Sequence, residues 1–170
     1  RRDIHSRYDR LSGADVMNLV AERPGTPWHI GLIGVLDGAP LTTKTGDLRL
    51  AGIRDTLAEA VLRAPRLRQV VRRTRPGQGR PVWVEAAEVD LDRHLRVAPV
   101  PAPGDELTFL HRCEEVLVPV MDRARPLWDL TLLPGLADGQ VGVVLRLHHA
   151  LADGLAAVQL VQALFDGPSG

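Results

Sequence analysis

Apolar side chains recur at helical spacing in Leu50, Ile53, Leu57, Ala60, Val61 and Ala64, with Gly46-Asp47 ahead of the run and Pro65 behind it. The spacing predicts a helix with one buried face. Arg54, Asp55, Glu59 and Arg63 fall on the other side, a solvated surface with local ion pairs. A second helix is predicted over 105–118, capped by Asp105 and stopped by Pro119. A shorter one follows the polar cap Ser12-Gly13-Ala14-Asp15, carries Val16, Met17, Leu19 and Val20, and ends at Pro24-Gly25.

Between the helices the pattern changes to β-branched and aliphatic runs bounded by turn residues. Residues 28–36 form a predicted strand closed by Asp37-Gly38, and the glycines inside it, Gly31 and Gly34, suggest a bulge. Residues 69–73 and 81–85 are a predicted hairpin around the turn-rich 74–80. The stretch 89–97 begins as a turn and continues extended, and the proline-rich 99–104 is a stiff connection. Strands over 127–133 and 141–147 pair antiparallel across Pro134-Gly135 and Asp138-Gly139. A last helix opens at Asp153-Gly154, its Leu155, Val158, Leu160, Val161 and Leu164 able to cover the sheet.

With 170 residues and 45% hydrophobic content the chain can build one core. Its 21 basic and 21 acidic side chains cancel, which removes any bulk attraction for nucleic acid. Lys44 is the only lysine, a preference for arginine rather than a binding surface. Cys113 is the only cysteine, so an internal disulfide and a cysteine metal cluster are excluded; a buried, inert thiol is expected in the 105–118 helix. No apolar run approaches the ~20 residues that span a bilayer, and Arg1-Arg2-Asp3-Ile4-His5 lacks a signal-peptide core. A cytoplasmic protein is expected.

The chemistry is concentrated in Arg146-Leu147-His148-His149-Ala150-Leu151-Ala152-Asp153-Gly154. An imidazole titrates nearest neutrality and can take a proton from a substrate hydroxyl or amine at working pH. Side chains of an extended segment alternate faces, so one histidine of the pair faces the reaction and the other supports it. Asp153 can cap the following helix or hold a cation, ordering the loop either way, and Gly154 leaves room for a close-approaching substrate. A metal is not expected: the pair lacks the four-residue spacing of a zinc helix, and His5, His29, His94 and His111 are scattered. A serine hydrolase is disfavoured too, since there is no Gly-x-Ser-x-Gly elbow and the serines, Ser6, Ser12 and Ser169, lie near the termini.

His148-His149-Ala150-Leu151-Ala152-Asp153-Gly154 resembles the His-His-x-x-x-Asp-Gly signature of the condensation-type, coenzyme A-dependent acyltransferase superfamily. Met121-Asp122-Arg123-Ala124-Arg125-Pro126-Leu127-Trp128-Asp129, followed by Pro134-Gly135-Leu136, resembles the Pro-Leu-Trp block of bacterial wax ester synthase/diacylglycerol acyltransferases. Leu11-Ser12 through Asp15, Trp28-His29-Ile30-Gly31, Asp90-Leu91-Asp92-Arg93-His94-Leu95 and Pro101-Ala102-Pro103-Gly104-Asp105 are similar to that family's N-terminal half, in order. The resemblance implies that His149 removes the hydroxyl proton of diacylglycerol or a long-chain alcohol while the oxygen attacks the thioester of a fatty acyl-CoA. It implies supporting roles for His148 and Asp153, an acyl channel kept open by Gly154, and no cofactor beyond acyl-CoA as substrate. Pro126, Leu127 and Trp128 are read as structural.

The fold expected from the elements is α/β, a two-layer sandwich in which a mixed sheet carries helices on one face; by resemblance it is a half of the chloramphenicol-acetyltransferase-like type. Residues 1–166 would be the N-terminal acyltransferase subdomain and 167–170 the start of a linker to a second half, whose Asn-Asp motif is not found here. An uncovered half-domain face would favour self-association, and a substrate at a membrane or lipid-droplet surface would bring the protein there. Two other readings share the histidines: a non-catalytic acyl- or partner-binding half, and a condensation-type domain that forms amides.

Overall fold

A computed structural model describes residues 9–151. The expected helix after Asp153, and Asp153 and Gly154 themselves, lie outside the described residues. In chain order the elements are β1 (Asp9–Arg10), α1 (Gly13–Ala21), β2 (His29–Leu36), α2 (Leu50–Arg63), a 3-10 turn (Pro65–Arg68), β3 (Gln69–Arg72), β4 (Val82–Glu85), α3 (Leu91–His94), β5 (Leu95–Val97), α4 (Glu106–Leu117), β6 (Trp128–Leu133) and β7 (Val141–His148).

The caps expected from the sequence form. Ser12 and Asp15 make a reciprocal capping box on α1, and the Asp105 carboxylate accepts the Thr108 N–H at 3.0 Å at the start of α4, each satisfying helix donors that have no partner within the helix. Stretch 89–97 resolves into one turn of helix, capped by Asp90, and the three-residue β5.

The strands form two sheets. A four-stranded mixed sheet has the order β2-β7-β6-β5, antiparallel except for the parallel β5–β6 pair. The hairpin β3–β4 stands apart from it and adds β1 to form a three-stranded antiparallel sheet.

The mixed sheet and α/β class are as the sequence suggests, but its helices are not confined to one face. Leu130, Leu132, Val143 and Leu145 share a core cluster with Leu57, Ala60 and Val61 of α2. Leu133 and Val144, which point the opposite way, pack with Phe109 and Cys113 of α4. The reason is that β6 and β7 are buried along their whole lengths, so both faces need cover. Cys113 is buried as expected, and burial pushes its thiol up.

Gly31 and Gly34 make no bulge. The β2–β7 register runs unbroken from His29↔His148 to Leu36↔Val141. A side chain at Gly31 would instead collide with Leu117 of α4, and one at Gly142 with the Phe109 ring, so these glycines let the helix approach the sheet. Trp128 is structural as expected. Its indole N–H donates to the Leu67 carbonyl at 2.8 Å, and its ring stacks on His94 at 4.4 Å between centroids. Burial pushes the His94 imidazole down, and its Nδ1 lies 2.7 Å from the Trp128 carbonyl, where it donates as a neutral ring.

Candidate active site

The site stands where β7 leaves the sheet. On the face turned toward α4, the alternation of β7 places Val144, Arg146 and His148 in succession, so the strand changes from apolar to polar as it approaches its end. Arg146 is 1% exposed, and a buried guanidinium must be paired. Its Nε and Nη2 donate to the Asp129 carboxylate of β6 at 2.8 and 2.5 Å, and its Nη1 donates to the Pro119 carbonyl at 2.6 Å.

His148 comes next on that face and has no exposed surface. The chain turns directly after it: the Leu151 N–H bonds the His148 carbonyl at 2.8 Å, and the Ala150 N–H donates to His148 Nδ1 at 3.0 Å. Because Nδ1 accepts, the ring proton sits on Nε2, which lies 3.5 Å from Glu22 Oε1. Burial pushes this imidazole down to about 4; the Glu22 carboxylate opposes the drop, while Arg123, His149 and His29 add to it. His148 is therefore neutral near pH 7. His29, its cross-strand neighbour, is also lowered by burial, with Arg146 adding to the effect.

His149 is the outward member of the pair. Its peptide N–H donates to the Trp28 carbonyl at 3.1 Å, which fixes the backbone, while the side chain is exposed. Its ring stands 6.2 Å from the Trp28 indole between centroids, tilted by 54°. The two imidazoles thus lie on opposite sides of the chain, His148 buried and His149 outward. Of the four residues singled out in sequence, His148 and His149 are brought together here; Asp153 and Gly154 lie outside the described residues.

Two residues not singled out in the sequence, Glu22 and Asn18, complete the site. Glu22, at the C-terminal end of α1, has a side chain only 3% exposed; its Oε2 accepts from Arg123 Nε at 3.3 Å and Nη2 at 3.1 Å. Its Oε1 accepts the Trp28 N–H at 3.3 Å. Asn18 accepts the Trp28 indole N–H at 2.9 Å. The signal for Glu22 was its spacing: three residues beyond the buried Leu19, it continues the inward stripe of α1, where an unpaired charge is not tolerated.

Chemically, the arrangement presents one exposed imidazole on an anchored backbone, backed by a second imidazole that is dry, neutral and held by fixed partners. An exposed imidazole so placed can accept a proton from a bound molecule, while burial keeps the inner ring neutral.

Residues 11–168 match the wax ester synthase/diacylglycerol acyltransferase catalytic domain. A putative diacylglycerol O-acyltransferase of Mycobacterium tuberculosis H37Rv is 33% identical over 157 residues, 91% of this chain but 30% of that protein. A probable diacylglycerol O-acyltransferase of the same strain is 27% identical over 92% of this chain and 56% of its own length. The wax ester synthase/diacylglycerol acyltransferase of Marinobacter aquaeolei VT8 superposes with a TM-score of 0.74 at 27% identity, covering 90% of this chain and 37% of that one. The starter condensation domain of a rhizomide synthetase shares the fold, with a TM-score of 0.64 at 19% identity over 92% of this chain and 37% of that one. The chain therefore spans about a third of the length of several relatives that it matches. It belongs to the wax ester synthase/diacylglycerol acyltransferase family.

Proposed function

We propose that this chain supplies the catalytic histidine of an O-acyltransferase, moving a fatty acyl group from acyl-CoA to diacylglycerol or a long-chain alcohol. The observation that carries the reading is the exposed His149 ring, set on a hydrogen-bonded backbone beside a buried neutral His148. His149 takes the proton of the acceptor hydroxyl as its oxygen attacks the thioester carbonyl. The carbon–sulfur bond breaks, the departing thiolate takes the proton back from the imidazolium, and ester and coenzyme A leave. A thioester is already activated, so positioning and one base account for the chemistry without a metal or a covalent enzyme intermediate.

His148 supports the turn that presents His149, and Asp153 and Gly154, next along the motif, order the loop and leave space for the acyl chain. Residues 1–166 serve as one half of the catalytic unit, with the second half supplying the other wall of the channel. Support for acyl transfer comes from the names of the family and its members, and a condensation domain that shares the fold was solved in complex with C8-CoA. No helix among the described residues is long and apolar enough to cross a membrane; contact with a membrane or lipid-droplet surface is part of the proposal, since the acceptors are lipids.

Product analysis tests the reading. Full-length protein given labelled acyl-CoA and diacylglycerol or hexadecanol is expected to form ester and coenzyme A in equal amounts. Binding of acyl-CoA with no ester formed would favour the non-catalytic alternative, and transfer only to amines would favour the amide-forming one.

A further inference from the structure

We propose that Glu22 is the positioning residue of this site, holding both histidines through one buried carboxylate that bridges four segments of the chain. The proposal rests on the reading of His149 as the base and adds the device that aims it. Oε1 faces His148 Nε2 at 3.5 Å and accepts the Trp28 N–H at 3.3 Å. Oε2 holds Arg123, whose Nη2 also donates to the Leu19 carbonyl. The end of α1, the start of β2, the loop before β6 and the end of β7 therefore meet at one side chain.

The link to His149 runs through a single residue. The Trp28 N–H is held by Glu22, the Trp28 carbonyl accepts the His149 N–H at 3.1 Å, and the Trp28 indole is pinned to Asn18 at 2.9 Å. A displacement of Glu22 shifts the Trp28 peptide, and with it the backbone that carries the outward imidazole. The link to His148 is direct. Its Nδ1 is committed to the Ala150 N–H, and its buried Nε2 has no hydrogen-bond partner among the described residues. A buried N–H without an acceptor costs free energy, and Glu22 Oε1 is the charged oxygen facing it. At 3.5 Å the contact is electrostatic, and a small inward movement makes it a hydrogen bond.

A carboxylate suits this place because it accepts from several donors and offers no proton that would repel them. Its charge is compensated by Arg123, about 40% exposed on the side chain. The groups facing His148 are then Glu22 from the end of α1, Arg123 from the loop before β6, His29 from β2 and His149 beyond the strand end. Burial outweighs the carboxylate's pull toward imidazolium, so Glu22 orients a neutral ring and leaves proton exchange to His149.

The test compares E22A, E22Q and E22Q/R123M in full-length protein by kinetics and by NMR of 15N-histidine-labelled protein. E22A is expected to lower kcat per folded molecule by about tenfold to a hundredfold, the scale of a displaced base, with KM for acyl-CoA within about twofold of wild type. E22Q keeps a neutral acceptor and is expected to fall less, and E22Q/R123M, which removes both charges, to recover part of the loss. The His148 Nε2 proton is expected downfield in wild type, beside its carboxylate neighbour, and upfield of that position in E22A and E22Q. Should E22A fail to fold, E22Q is read on the same two scales. An unmoved His148 proton together with unchanged kcat per folded molecule overturns the proposal. If H149A retains turnover the base assignment fails instead, and the NMR shift still decides whether Glu22 holds His148.

Discussion

His148 and His149, adjacent in sequence, lie on opposite sides of the solvent boundary: the first has no exposed surface and accepts the Ala150 N–H at Nδ1, while the second is exposed, its peptide N–H donating to the Trp28 carbonyl. The turn at the end of β7 creates the difference. It divides the pair into a ring that belongs to the core and a ring that faces solvent.

That division predicts unequal costs of truncation. His149→Ala removes an exposed ring and is expected to change folding stability by no more than about 0.5 kcal/mol. His148→Ala strands the buried Ala150 N–H and removes the ring facing Glu22, at about 1–3 kcal/mol. Urea denaturation of the two variants checks this, and equal losses would contradict the assignment of inner and outer roles.

Acid is expected to destabilise the protein through the buried imidazoles. His148, lowered to about 4 by burial, with His94 and His29 lowered in the same direction, binds protons more weakly folded than unfolded. Between about pH 6.5 and 4 the unfolded chain then holds more protons, so stability is fully present above about 6.5 and is lost as pH falls through that window. A urea midpoint that drops between pH 7 and pH 5 is the expected result; a constant midpoint would show that these rings protonate without unfolding.

The Arg146–Asp129 pair, 1% and 6% exposed on the side chains, is predicted to behave as a buried salt bridge. Asp129→Leu leaves an unpaired guanidinium and costs about 3–5 kcal/mol, whereas adding Arg146→Met recovers most of it. A double-mutant cycle in chemical denaturation measures the coupling. Additive losses would mean that the two charges are stabilised separately.

Gly142→Ala places a methyl group against the Phe109 ring, where β7 meets α4. The expected loss is about 1–3 kcal/mol, the usual consequence of overpacking. Phe109→Leu in the same background makes room and should restore part of it, as read from the thermal midpoint. No change in either variant would place α4 elsewhere.

Most elements were legible in the sequence because their boundaries are chemical: Pro65 and Pro119 stop helices, Asp105 caps one, and Pro134-Gly135 and Asp138-Gly139 separate β6 from β7. The division into two sheets was not, since the alternation of residues 69–72 and 82–85 shows that they pair but not that they bind Asp9–Arg10 rather than the larger sheet. The covering of both faces left a trace in the sequence, for the apolar run from Val141 has too little polar alternation for a strand with one wet face. At the site, the histidine pair was conspicuous because adjacent imidazoles are uncommon. Glu22 was less so: its spacing from Leu19 places it on the inward stripe of α1, but its partners come from distant segments and only the fold assembles them around it.

The most direct measurement is the turnover of His149→Ala in full-length protein at saturating acyl-CoA, with released coenzyme A and ester quantified together. A general base contributes about 10²–10⁴-fold, so ester formation should fall by that factor while the protein stays folded and still binds acyl-CoA. Turnover equal to wild type would mean that another group takes the acceptor's proton.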